Sequence, residues 1–531
     1  MKEILDNNKV NYLILSLLFF LLIFSLNPSL NFLASDLKHW STYNRDDIAF
    51  VYNSLLYLEG HEIHHTDHPS VFTFLIFPFF YKIAFYLGYI DFYNLTGFLK
   101  SNDINISLSK LFYISRFVIQ IFSIGLIIVV YKIINYFSLR KIDSLFIASI
   151  FMISTGFLSA SNRIESGMIS VFFIFLALFF FLRFLSKENK ISIIYFSLTI
   201  LFIFSGMMQK KIVYFIVPFL FLSSVMIAKK KEIIYIKYKI LNYKSLDKFF
   251  LAFLYFIVFV FFYLKTIDNN SINNSRDLDF IFLLINFIIF NLLFIFYIRK
   301  FQNGYYENLL TYNLLIIAVY FLYQFFLVYV LSVSNEVWTI TFTNFFGHIN
   351  AFTSVEEVKG SSSLLSINIY FLKFIENLNS VIHKYFLSLN YQSILIWINI
   401  CLFLIFLKKI SFKKKISFTI LLFGFLICQS IILFRYQQNT YYLNTECFLL
   451  FSLSIVICNI KNKLIYLSFC TILFTALFYS NIKTLDKLKN ENLNSYCYVF
   501  KDFNSANDFY EVYTNKIPIE IRKNFCNDII L

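Results

Sequence analysis

Two adjacent carboxylates, Asp46 and Asp47, open the densest polar stretch of the chain, WSTYNRDDIAFVYNSLLYLEGHEIHHTDHPS at 40–70. One of two neighbouring carboxylates keeps a proton more readily, which suits it to accept one from a hydroxyl near neutral pH. The same pair could hold a divalent cation against a phosphate. The plainer reading is structural: Ile48, Val51, Leu55 and Leu58 recur at helical spacing and Gly60 stands at the expected stop. Acidic residues in a first helical turn are favoured by the helix dipole. His61, His64, His65 and His68 follow within eight positions, with Glu62 and Asp67 among them. Imidazole and carboxylate at that density suit zinc or manganese, but the spacing fits no metal template. A polar turn between two interfacial helices explains them as well, with His68-Pro69 orienting the second.

Three further places carry charge where charge is costly. Arg163 and Glu165, in SASNRIESG, stand at the end of an apolar run; they are functional, an ion pair within the loop, or simply solvated. Lys210 and Lys211, in SGMMQKKIVYFIVP, are either phosphate ligands or snorkelling anchors. Arg116, within LFYISRFVIQ, faces a phosphate or marks a membrane boundary.

The elements that must position these residues are membrane helices. The chain has 531 residues, 59% hydrophobic and 21% aromatic, and only 15% are charged. Soluble domains carry about 25% charged residues, and 73 Phe with 37 Tyr would coat one in exposed rings. The net charge of +15 sits in short Lys/Arg clusters between apolar runs, a pattern of cytoplasmic loops and not of a nucleic-acid surface. The expected class is an all-α polytopic membrane protein with about thirteen spans, near 11–33, 110–135, 143–160, 167–186, 191–208, 212–228, 249–266, 278–298, 309–332, 391–407, 416–434, 444–460 and 464–480. The first reads as an uncleaved anchor.

Arg140-Lys141, Lys229–Lys231, Arg299-Lys300 and Lys413–Lys415 fall in alternate loops and set the N-terminus in the cytoplasm. Loops 34–109, 161–166, 267–277, 333–390 and 435–443 are then external, with the tail from 481. Segment 70–88 is apolar enough to span, but crossing would put the later basic clusters outside. Pro69, Pro78 and Lys82 fit a kinked helix at the outer interface. The expected organisation is a membrane domain over 1–480 and an external tail over 481–531. Five Cys (401, 428, 447, 458, 470) read as core, while Cys497 and Cys526 share the external tail and could bridge.

The order and sidedness of these motifs resemble the GT-C superfamily of polyprenyl-phosphate-sugar glycosyltransferases, in the branch of lipid A aminoarabinose transferases and protein O-mannosyltransferases. Arg45-Asp46-Asp47, Leu58-Glu59-Gly60 and Asp67-His68-Pro69 stand where that family has an acidic pair, a helix ending at Gly and an aromatic/His/Lys-Pro stretch. Arg116, Glu165 and Lys210, eight residues before Pro218, match further positions. The resemblance covers roughly 1–230. Asp47 replaces the usual Glu and Glu165 the usual Asp, and W-W-D-Y-G is absent, which argues against transfer of a preassembled glycan to Asn.

The resemblance implies an inverting transfer of one sugar, from a polyprenyl-phosphate donor to a lipid, glycan or protein acceptor, on the outer face of the inner membrane. Asp46 would be the base, with Asp47 or Glu165 positioning it. Lys210, with Lys211 and Arg116, would hold the phosphate, and Arg163, Asp67 and His68 would line the substrate site. A divalent cation is the one cofactor in view. The alternatives are a lipid-linked polysaccharide polymerase, which the 333–390 loop would suit, and a flippase or transporter. The scarcity of mid-span charge weakens the latter two.

Overall fold

The computed structural model describes residues 8–26, 45–58, 70–99, 104–138, 140–161, 163–186, 191–210, 213–227, 305–331, 363–388, 390–433 and 442–490. Among them the secondary structure is helical throughout, and the protein is a polytopic all-α membrane protein. The helices are α1 (Asn8–Leu26), α2 (Arg45–Leu58), α3 (Val71–Tyr86), α4 (Leu95–Leu99), α5 (Ile104–Ser138), α6 (Lys141–Met152), α7 (Thr155–Ser161) and α8 (Ser166–Ser186). There follow α9 (Ile191–Met207), α10 (Val213–Ile227), α11 (Tyr305–Phe325, prolonged by a π-turn Phe326–Val330), α12 (Ser363–Leu387), α13 (Tyr391–Ile405), α14 (Phe412–Ile432), α15 (Tyr442–Ile457) and α16 (Lys463–Asn490).

Five described helices are long and apolar enough to cross a bilayer, or up to seven if two bent pairs each count as one span. Every expected span outside 228–304 meets a described helix; the expected spans 249–266 and 278–298 lie outside the described residues. At the centre stands α15, buried along its whole length. It carries Asn444, Glu446, Ser452 and Ser454, polar groups that are costly in lipid, and α5, α6, α7, α8, α10, α13 and α14 pack around it.

The expected span at 143–160 is not one helix. Between Met152 and Thr155 the chain bends by 62°. The cause is a set of side chains that take over the backbone bonds the bend gives up. Asn481 Nδ2 donates to the Ile153 carbonyl and Thr155 Oγ1 donates to Asn481 Oδ1 at 2.7 Å. The Gly156 amide donates to both oxygens of Glu446, at 3.2 and 3.1 Å. Gly156 is required there because a Cβ would lie 2.0 Å from the Leu443 nitrogen. Asn481, expected in the external tail, is therefore a packing residue, and α16 runs on to Asn490.

Alternating helix directions put residues 163–165 and 208–210 at one end of the bundle and Arg140 at the other. At that other end Arg140 grips Asp143 through two bonds of 2.7 and 2.8 Å and donates to the Ile460 and Ile457 carbonyls, both at 3.0 Å. A residue read as a topological signal thus also closes the C-terminus of α15.

Candidate functional site

At the first end, Lys210 reaches across from the α9–α10 turn to Glu165 in the α7–α8 turn, with Nζ 3.7 Å from Oε2. Both side chains are buried, at 7% and 8% exposure. The separation is that of a charge pair without a hydrogen bond between the two atoms. No hydrogen bond reaches Glu165 Oε1 among the described residues. Gly167 makes room for the pair: a Cβ there would stand 3.0 Å from Lys210 Nζ and 3.4 Å from Glu165 Oε1. The two turns are held together by the Ser170 hydroxyl, which donates to the Gly206 carbonyl at 3.1 Å. Glu165 was open to an intra-loop pair with Arg163; the structure joins it to Lys210 and leaves Arg163 half-buried in the same turn.

The first-loop helices lie across this end. Val71 N donates to the Met208 carbonyl at 3.3 Å, and Thr73 Oγ1 donates to Gln209 Oε1 at 2.9 Å, directly beside Lys210. The far end of α3 reaches the start of α5, where Tyr89 meets Tyr113 with ring centroids 6.3 Å apart. Both ends of α3 therefore touch the same end of the bundle. With 16 residues it is about 24 Å long, short of the roughly 30 Å that a crossing needs.

Antiparallel to α3 runs α2. Its C-terminal turn is tied by the Tyr57 hydroxyl to the Leu331 carbonyl, beside the Val71–Met208–Leu327 cluster, and Phe50 packs on Phe74. Asp46 and Asp47 are the second and third residues of α2; their side chains lie outside the described residues. The helix rise puts Asp46 about 16 Å along the axis from Tyr57. Its turn is thus displaced from the Met208 end towards the middle of α3, where Tyr81 bonds Ser115 at 2.6 Å. Arg116 follows Ser115 and is buried at 3% exposure. It lies about 33 Å along α5 from Ser138, which places it at the edge of a hydrocarbon layer that begins at the Arg140 end.

Lys211, Asp67, His61, His64, His65 and His68 lie outside the described residues, as do Cys497 and Cys526. Among the described residues no three His, Cys, Asp or Glu side chains come together as a metal site. The five described cysteines are free thiols; Cys401, expected as core, is exposed on α13.

Glu446 escaped the sequence reading, which passed over it as the edge of a plain span. It is fully buried, and besides the Gly156 amide it accepts from Gln392 Nε2 at 2.6 Å. The signal was a lone carboxylate in the apolar run YLNTECFLLF, where burial demands donors. Gly167 was missed as well, because only the pairing across two turns gives it a reason.

No protein-family model matches the chain, and no curated protein matches it. Among solved structures it is similar to the Archaeoglobus fulgidus oligosaccharyltransferase in complex with zinc and sulfate. The TM-score is 0.42 and the identity 16%, over 95% of this chain and 56% of that one. It is also similar to the archaeal oligosaccharyltransferase AglB of the same organism with an inhibitory peptide and a dolichol-phosphate, with TM-score 0.44 and 12% identity, over 95% and 59%. The chain thus spans less than two thirds of the length of either.

Proposed function

We propose that the chain is a glycosyltransferase of the GT-C type, taking one sugar from a polyprenyl-phosphate donor at the outer face of the inner membrane. The observation that carries this reading is the buried Lys210–Glu165 pair at the end of the bundle over which α2 and α3 lie. A lysine kept out of water beside one carboxylate can exchange that partner for a phosphate oxygen, since both are anionic acceptors. The motif order of residues 45–218 supports the same reading, with the N-terminus in the cytoplasm and the tail outside.

In the proposed step the acceptor oxygen attacks the anomeric carbon, opposite the departing phosphate. The new C–O bond forms as the bond to the phosphate oxygen breaks, so the configuration inverts. Asp46 takes the hydroxyl proton. Polyprenyl phosphate leaves with the electron pair and a charge that Lys210 stabilises, with Lys211 and Arg116 as further cations. Glu165, freed from Lys210, is then placed to orient the acceptor, as Asp47 is. Arg163, Asp67 and His68 are assigned to substrate binding, and a lipid, glycan or protein hydroxyl fits the role of acceptor.

The test uses the full chain in proteoliposomes containing a panel of polyprenyl-phosphate monosaccharides, with release of polyprenyl phosphate as the readout. Turnover by the wild type, lost in Asp46→Asn, is the expected result. A wild type that neither binds nor consumes any polyprenyl phosphate would overturn the proposal.

A further inference from the structure

The segment 363–387, expected to be part of an external loop, is the helix α12, and it turns by 80° into α13. Its residues sort into three sectors around the axis. Asn377, Val381 and Tyr385 are buried against α14, where Asn377 Nδ2 donates to the Ser430 carbonyl at 3.2 Å and Gln429 Nε2 donates to the Tyr385 hydroxyl at 2.8 Å. Phe371, Ile375 and Ile382 are exposed, at 62%, 46% and 43%, and lie in line with half-buried Leu378 and Phe386. At about 100° per residue these five fall within roughly 80° of arc. Glu376, Asn379, Ser380 and His383 are exposed in the remaining sector, with Leu372 and Leu387 exposed near its two ends along the helix.

The apolar stripe has a neighbour that says what covers it. Phe386 packs edge-on against Trp397 of α13 at 5.7 Å, and Trp397 Nε1 donates to the Phe386 carbonyl at 3.1 Å. Trp397 is itself 46% exposed, and Leu404 and Ile405 below it are exposed in turn. In a membrane helix such a face is covered by acyl chains, and an indole at its upper end marks the interface. The stripe on α12 is continuous with that face. A continuation of α12 through the hydrocarbon would immerse Lys373, Glu376, His383 and Lys384, ionisable groups that are costly there. Lying in the plane lets the polar sector face water while the stripe faces lipid.

We propose that α12 is an interfacial helix seated on the lipid leaflet at the Lys210 end, with Phe371, Ile375 and Ile382 among the acyl chains. The partner is the lipid surface itself. The inference is independent of any transferase activity.

The test is nitroxide accessibility on the full chain in lipid nanodiscs, with the native cysteines replaced by alanine. Spin labels are placed singly at Phe371→Cys, Ile375→Cys, Ile382→Cys, Glu376→Cys and Asn379→Cys. Oxygen collides with a label in acyl chains, and a water-soluble nickel chelate with one in water. The expected result is an oxygen-to-nickel ratio several-fold higher at 371, 375 and 382 than at 376 and 379. Equal ratios on both faces would place the stripe in water and overturn the proposal. Low accessibility to both agents at 371, 375 and 382 would mean that protein covers it, and would overturn it equally. A label that perturbs one site leaves the pattern over the other two apolar positions to decide.

Discussion

Lys210 and Glu165 are buried against each other at 3.7 Å, and Gly167 stands where any side chain would push them. A buried charge pair is weak evidence of stability in itself, because desolvation consumes most of what the attraction returns. In the proposed transfer, Lys210 exchanges this carboxylate for the donor phosphate.

That relationship separates a structural from a functional lysine. Lys210→Ala leaves Glu165 buried without its cation and should destabilise the protein by about 3–5 kcal/mol. The double variant Lys210→Ala/Glu165→Gln removes both charges and should recover most of that loss in detergent melting. Binding of a polyprenyl phosphate should stay lost in the double variant. Recovery of binding together with stability would show that Lys210 does no more than neutralise Glu165.

Gly167→Ala tests the same pocket without touching a charge. Its Cβ must displace the lysine tip by tenths of an ångström, a small cost in stability since the tip is flexible. Polyprenyl-phosphate affinity should fall several-fold while the melting temperature moves by a few degrees at most. Unchanged affinity would place the phosphate elsewhere.

Asp46→Asn keeps the size of the side chain and removes its capacity to accept a proton. A general base contributes about 10²–10⁴-fold, so transfer should drop by that factor with membrane insertion and donor binding intact. Wild-type turnover in this variant would remove Asp46 from the chemistry.

At the opposite end, Arg140→Ala strands Asp143, whose side chain is fully buried, and frees two carbonyls of α15. The Arg140 side chain is 34% exposed, so water recovers part of the loss, and a cost of about 2–3 kcal/mol is expected. Adding Asp143→Asn should return a share of it in thermal unfolding. A silent Arg140→Ala would reduce the residue to a topological signal.

Gly156→Ala should be far more damaging than Gly167→Ala. The obstacle at Gly156 is the backbone of Leu443, which cannot swing aside as a lysine can. Loss of folded protein in size-exclusion chromatography is expected, and a normal yield would contradict the close α7–α15 approach.

Helix content and span positions were legible because lipid leaves a backbone no choice: an apolar run of sufficient length must bond to itself, whatever its neighbours are. Hence α8, α9 and α14 fall where hydropathy puts them, and the charged residues near their ends, Glu165 and Lys210, stood out against apolar surroundings. Three things depended on contacts between segments distant in the chain, and no local pattern carries those. Glu165 turned to Lys210 and not to Arg163, because packing of α8 against α9 brings the two turns together. The span at 143–160 broke because Glu446 and Asn481, from α15 and α16, satisfy the backbone groups that a bend exposes. Residues 363–387 became a helix bent away from α13 because its Asn377–Tyr385 face found α14. Hydropathy reports the solvent each segment will meet, and only the assembled bundle determines which polar groups meet one another.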